Sequence, residues 1–244
     1  MSHIAAYLGV SALAGYAAAQ VLGRRAGSTA HERAARMPGD ELVPAPHMVT
    51  NHAVTISARP KQIWPWLTQM GWHLGGYYTP EWVDRLMFPN NWSSLDHLDP
   101  NLVRDLKVGD TLPDGPPGTA QYVVHEVDAP RLLLLKSTSH IPPGWYDKYN
   151  ARITWTWCFT LTPVGDGKTR VHSRVRGRMA PRWFAAFYVG TIVPADFVMA
   201  TGMLRGLKKR AETGAPPEIS GRAAIAVDAS TWRPTLSSAG MGSG

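Results

Sequence analysis

Residues 153–161 read Ile-Thr-Trp-Thr-Trp-Cys-Phe-Thr-Leu, and this stretch decides the fold. Successive side chains of a β-strand point to opposite faces, so an alternating pattern predicts a strand with one buried face. The large apolar side chains all fall on one face: Ile153, Trp155, Trp157, Phe159 and Leu161. Each tryptophan can bury on the order of 200 Å². The strand therefore needs a bulky cover, which is a long helix, a ligand or both.

The next segment, residues 169–178, repeats the alternation with charge on one side. The turn residues Gly165-Asp166-Gly167 separate the two segments and predict a hairpin. Val171 and Val175 share the apolar face, whereas the other face is basic. We expect Arg174 and Arg176 on that second face to point into solvent. The alternative is that sheet curvature or a register break admits one of them to an internal cavity.

The rest of the chain predicts the elements around this hairpin. Pro60 and Thr79-Pro80-Glu81 are typical helix starts, and residues 193–207 place apolar side chains on one helical face. The predicted elements are a strand at His52–Ala58, two short helices, strands at Gln121–Val127 and Leu132–Ser137, the hairpin, and a helix at Arg182–Glu212 that Pro194 interrupts.

This order predicts an α+β helix-grip fold. A curved antiparallel β-sheet wraps around a long C-terminal helix, and the two short helices follow the first strand. We expect an apolar N-terminal helix at 1–22, a linker at 23–51 with a short helix near 30–36, a ligand-binding domain at 52–212 and a disordered tail at 213–244.

The N-terminal run Ile4–Leu22 carries no formal charge, and Arg24 and Arg25 follow it. About nineteen residues at 1.5 Å rise span roughly 28 Å, close to the thickness of a bilayer core. A membrane anchor is the leading interpretation, and the two arginines then place the main domain in the cytoplasm. A cleaved signal peptide, with Ala17–Ala19 as the cleavage site, and a soluble alanine-rich helix are the alternatives.

Composition limits the possible functions. The net charge of +7 is compatible with anionic partners such as a membrane surface or nucleic acid. Nucleic-acid binding is disfavoured, because the tryptophans fall on the buried face of the hairpin and not on its basic face. The single cysteine, Cys158, forms no internal disulfide. The nine histidines lack ligand-like spacing, so we expect no metal site. The sequence contains no nucleotide-binding motif and no nucleophile elbow, so we expect neither a nucleotide cofactor nor a serine hydrolase.

Several motifs together resemble one branch of the SRPBCC superfamily, the START-like and polyketide cyclase/dehydrase-like proteins. The resemblance spans residues 52–212. It rests on Ile63–Gly71 with Gly75-Gly76-Tyr77-Tyr78, on Asp96–Pro100 with Val108-Gly109-Asp110, and on Phe197–Met199 with Met203–Lys208. It implies the helix-grip fold with a cavity between sheet and helix. Function varies widely within this superfamily, which includes lipid carriers, receptors and cyclases.

Candidate site residues follow from this expected cavity. The neighbouring pair Asp96 and His97 is the candidate for acid–base catalysis, while His140 and Tyr149 flank a possible lid. The candidate ligand-binding residues are Trp72, Tyr77, Tyr78, Trp155, Trp157, Phe159, Met199 and Met203.

Three functions remain open at this point. The leading hypothesis is a protein that encloses a hydrophobic small molecule, such as a lipid, polyketide or isoprenoid-like compound, and is tethered to a membrane by its N-terminal helix. The second is a cyclase- or dehydrase-type enzyme that acts on a ligand in the same cavity. The third is an interaction module whose cavity is a collapsed core.

Overall fold

The computed structural model describes residues 2–214 and confirms the predicted fold class. Six strands form one antiparallel sheet in the order β1-β6-β5-β4-β3-β2, and a 32-residue helix, α6, packs against it. The elements, in chain order, are α1 (Ser2–Arg25), α2 (Ala30–Ala34), β1 (Met48–Ile56), α3 (Pro60–Thr68), α4 (Glu81–Met87), β2 (Thr111–Pro113), β3 (Gln121–Asp128), β4 (Leu132–Ser137), α5 (Trp145–Tyr149), β5 (Arg152–Pro163), β6 (Thr169–Ala180) and α6 (Arg182–Thr213).

The predicted hairpin lies at the centre of the sheet. In β5 and β6, Trp155 pairs with Gly177, Trp157 with Val175 and Phe159 with Ser173. These residues lie on the face turned towards α6, which we call the inner face. The tail after Gly214, predicted to be disordered, lies outside the described residues.

The first strand begins at Met48, four positions before its predicted start, and the chain ahead of it packs on the sheet. Met37 and Leu42 contact Cys158 and Leu134 on the face opposite α6, the outer face. The polarity and prolines of residues 23–51 predict a linker. A packed irregular segment can have the same composition, because polar side chains that bond other parts of the protein need not face solvent.

The expectation that Arg174 and Arg176 are solvated is wrong. Arg174 is 4% exposed and donates to Asp40 Oδ2 at 2.8 Å, and Arg176 donates to Asp40 Oδ1 at 3.2 Å. Glu32 pairs with Arg170 at 2.7 Å, and this contact lowers the pKa of Glu32 to about 2. The carboxylates of Glu32 and Asp40 in the N-terminal segment therefore neutralise part of the charge on the basic face of β6.

Helix α1 ends against the middle of α6, where Pro194 interrupts the hydrogen-bond ladder. Proline has no N–H, so the carbonyl of Gly190 has no intrahelical donor. Tyr16 Oη donates to that carbonyl at 2.8 Å, and Gln20 Nε2 donates to Val189 O at 3.1 Å. The α1–α6 contact thus satisfies a backbone group that the proline leaves free.

Among the residues whose side chains the structure describes, which leave out residues 2–6 and 8 of α1, the helix long and apolar enough to cross a membrane is α6. The core helix of a soluble protein meets the same criterion, and α6 buries Val193, Met203 and Leu207 against the sheet. This criterion therefore does not identify a membrane span at α6.

Candidate functional site

A cavity of about 220 Å³ lies between the inner face of the sheet and α6. Strands β3, β5 and β6 form one wall and α6 the other, while the end of α4 contributes Met87 and Phe88. The lining is mainly aromatic and aliphatic: Tyr77, Tyr122, Trp155, Trp157, Val175, Tyr188, Ile192, Met199 and Met203. A concave, largely apolar site of this kind is typical of small-molecule binding.

The aromatic wall is held in place by ring contacts. Trp155 packs edge-on against Tyr188 with ring centroids 5.7 Å apart, and it stacks on His140 at 5.9 Å. Tyr122 lies 5.4 Å from Trp157, whose indole N–H donates to Ser173 Oγ at 2.8 Å. These contacts fix the rings, so the cavity wall is formed before any ligand binds.

An acid–imidazole pair lies at one side of the cavity. His140 Nε2 is 2.7 Å from Asp114 Oδ2, and His140 Nδ1 is 2.7 Å from Ser137 Oγ. Both side chains are mostly buried, with exposures of 11% for His140 and 17% for Asp114. Burial, together with the charge of Asp114, raises the pKa of Tyr77 and of Tyr122, which keeps both phenols neutral. The pair has the composition needed for proton transfer.

A second pair, His52 and Asp196, lies where β1 faces α6. His52 Nδ1 is 3.7 Å from Asp196 Oδ2, which is beyond hydrogen-bond distance. Burial lowers the pKa of His52 and raises the pKa of Asp196, so burial disfavours the charged form of each.

Three buried polar atoms around the cavity have no hydrogen-bond partner in the described part of the protein. They are His52 Nε2, Asp196 Oδ2 and Trp155 Nε1. Buried polar groups are rarely left unpaired, because an unmade hydrogen bond costs about 1–3 kcal/mol. These atoms give the largely apolar cavity polar groups that a ligand can bond.

The structure brings five of the predicted ligand-binding residues to the cavity and leaves three outside. Tyr77, Trp155, Trp157, Met199 and Met203 line it. Trp72, Tyr78 and Phe159 are buried in the surrounding core instead. The Tyr78 hydroxyl donates to the carbonyl of Trp66 at 2.6 Å. The ring of Phe159 packs against that of Trp157, with the ring centroids 4.7 Å apart.

The predicted catalytic pair lies outside the cavity. Asp96 and His97 are hydrogen-bonded at 2.9 Å, but their side chains are 93% and 65% exposed. The Gln69 side chain donates to the carbonyl of His97 and accepts from the N–H of Asp99, which holds this loop on the surface. Adjacency in the chain brought an acid and an imidazole together without directing them inward.

Sequence reasoning missed Asp114, His52 and Asp196, and it noted His140 only as part of a lid. One signal for Asp196 was available. It lies three positions after Val193 and seven before Met203, so it belongs to the apolar stripe of α6. A carboxylate on a buried stripe is a candidate functional group.

No protein family and no curated protein sequence matches the chain. Solved structures share the fold only distantly. A hypothetical protein from Helicobacter pylori is 12% identical over 73% of this chain and 96% of its own, with a TM-score of 0.44. The Aha1 dimer from Colwellia psychrerythraea is 17% identical over 69% and 99%, with a TM-score of 0.36. CalU16 from Micromonospora echinospora is 15% identical over 67% and 83%, with a TM-score of 0.32. At these scores the likenesses carry no functional argument.

Proposed function

We propose that the protein binds an apolar small molecule with one polar end in the cavity between the sheet and α6. The observation that carries this proposal is the combination of an aromatic lining with three buried polar atoms that no described residue satisfies. Apolar surface of the ligand would replace water on the tryptophans, while its polar group would bond the atoms near Asp196.

A cavity-filling variant tests this proposal. Ala195 lines the cavity, so Ala195→Phe should occupy the space and abolish binding of apolar compounds. Ala186→Phe is the matched control, because Ala186 lies in the same helix and is exposed. Native mass spectrometry of full-length protein from its own membrane fraction would show a bound compound in the parent and the control. Equal loading of all three proteins would refute the proposed site.

We further propose that α1 attaches the protein to a membrane. Its exposed apolar side chains support this: Tyr7 is 74%, Val10 66% and Leu13 71% exposed. Arg24 and Arg25 end the helix and favour a cytoplasmic main domain. Leu13→Lys should shift full-length protein to the soluble fraction, whereas Val164→Lys, at an exposed valine of the β5–β6 turn, should not. Parent protein that is already wholly soluble would refute the attachment.

One observation favours an enzyme as the second candidate. The His140–Asp114 pair lies at the cavity wall, so it would meet a bound ligand, as a general acid or base must. A cyclase- or dehydrase-type reaction on a polyketide needs such proton transfer. The catalytic role then belongs to His140 and not to His97.

Turnover of a polyketide-type substrate by three variants separates these assignments. His140→Ala and Asp114→Asn should each lower the rate about 10²–10⁴-fold. His97→Ala should leave it unchanged, because His97 lies at the surface. If no polyketide is turned over by the parent protein, the binding function stands alone.

A further inference from the structure

The charges around the cavity are opposite in sign to the charge of the whole chain. The protein has a net charge of +7. The cavity lining, within the described residues, contains Asp114 and Asp196 but neither lysine nor arginine. His52 and His140 are the other ionisable groups besides the tyrosines. A carboxylate or phosphate in this cavity would meet two carboxyl groups and neither lysine nor arginine, which is unfavourable at low local dielectric.

The aromatic rings favour the opposite charge. The faces of tryptophan and tyrosine rings attract cations, and aromatic cages of this composition recognise alkylammonium groups. Trp155, Trp157, Tyr122 and Tyr188 all line the cavity. The rings also provide apolar surface, so one wall can bind both the charged group and the tail of an amphiphile.

Asp196 is the carboxyl group best placed to pair with such a cation. Its Oδ2 atom is buried and lacks a hydrogen-bond partner among the described residues. The neighbouring His52 is 1% exposed and also has an unpartnered ring nitrogen, Nε2. Burial raises the pKa of Asp196, because the charged carboxylate loses its hydration. A bound cation would offset this loss by stabilising the carboxylate.

We propose that the cavity selects an organic cation with an apolar tail, an alkylamine or quaternary ammonium compound, over organic anions of the same length. This inference rests on the proposed ligand-binding function and names its ligand class. The ammonium group lies between Asp196 and the aromatic rings, and the tail lies along Ile192, Met199 and Met203.

Three probes with the same eight-carbon tail test the selectivity by calorimetric titration of the full-length protein below their micelle-forming concentrations. These are octyltrimethylammonium, 1-octanol and octanoate. We expect the cation to bind at least about tenfold more tightly than octanoate, with octanol between them. Non-specific attraction to a protein of charge +7 would give the reverse order, so the expected ranking cannot come from the surface.

The other outcomes are distinguishable. Octanoate or octanol binding as tightly as the cation would overturn the inference and leave the binding function intact. If none of the probes binds, the binding function fails and the inference fails with it. A short-chain phosphatidylcholine carries the same ammonium next to a phosphate. If it binds as tightly as octyltrimethylammonium, the natural source is a lipid headgroup; if it is excluded, the source is a free amine.

Asp196→Asn isolates the contribution of the carboxylate. It should weaken binding of the cation about tenfold and change octanol binding by a clearly smaller factor, because the hydroxyl of octanol carries no charge. Asp166→Asn, at an exposed turn between β5 and β6, is the control and should change neither affinity. Cation selectivity that survives in Asp196→Asn would overturn the role of Asp196. The ranking of probes on the parent protein tests the inference even if this variant does not fold.

Discussion

Replacing Arg174 with methionine should destabilise the protein more than any other single change on the basic strand. The arginine side chain is 4% exposed, and its guanidinium donates to four groups besides Asp40. They are the Asn51 side chain and the backbone carbonyls of Glu32, Arg33 and Ala35. Methionine keeps the length and apolar character of the stem but removes every one of these donors.

The magnitude follows from what the substitution leaves behind. Asp40 is 15% exposed and would retain Arg176 at 3.2 Å and the Met37 N–H at 3.0 Å, while three carbonyls would lose a donor. Breaking a buried ion pair from one side costs about 3–5 kcal/mol. For a domain of this size that loss lowers the melting temperature by about 10 °C.

Urea denaturation of the full-length protein, followed by circular dichroism, measures this effect. Arg178→Met is the matched control, because Arg178 lies on the same strand and the same face but is exposed. It should change the free energy of unfolding by less than about 0.5 kcal/mol. If Arg174→Met and Arg178→Met differ by less than about 1 kcal/mol, the N-terminal segment does not stabilise the sheet in the way described.

Three further predictions concern helix packing and pH. An added Cβ at Gly206 would overlap the carbonyl oxygen of Tyr78, so Gly206→Ala should lower the melting temperature. Gly190→Ala is the control in the same melting experiment and should be tolerated, because its added Cβ would meet only Tyr16 Oη at 3.5 Å. Burial, reinforced by Arg174, lowers the pKa of His172 from 6.5 to about 4. As the pH falls, His172 is therefore protonated in the unfolded chain before it is protonated in the folded protein. The free energy of unfolding should drop by roughly 2 kcal/mol between pH 7 and 5. His172→Gln should flatten that part of the profile, and an unchanged slope would contradict the assignment. Tyr16→Phe removes the hydroxyl that bonds Gly190 O and should speed proteolysis within α1, and a rate equal to that of the parent would argue against this contact.

The sequence by itself determined the fold class. Alternation in residues 153–161 predicted the central strand, the turn at Gly165–Gly167 predicted the hairpin, and the apolar stripe predicted the long helix as its cover. These are local properties, because the period of the apolar pattern depends only on the backbone geometry of each element. The same reasoning placed Trp155 and Trp157 on the inner face, where the structure shows them lining the cavity.

Only the tertiary structure decided which segment covers the outer face of the sheet and which polar groups meet in the cavity. Arg174 and Asp40 are 134 positions apart, so no local pattern links them, and the arginine looked solvated because its partner lay in a segment interpreted as a linker. His140 and Asp114 likewise come together across 26 positions, whereas Asp96 and His97 are adjacent yet point into solvent. Periodicity states which face of an element a side chain occupies. Long-range packing decides which segment covers that face. Its free energy depends on contacts among all the elements, so the sequence of one element does not determine it.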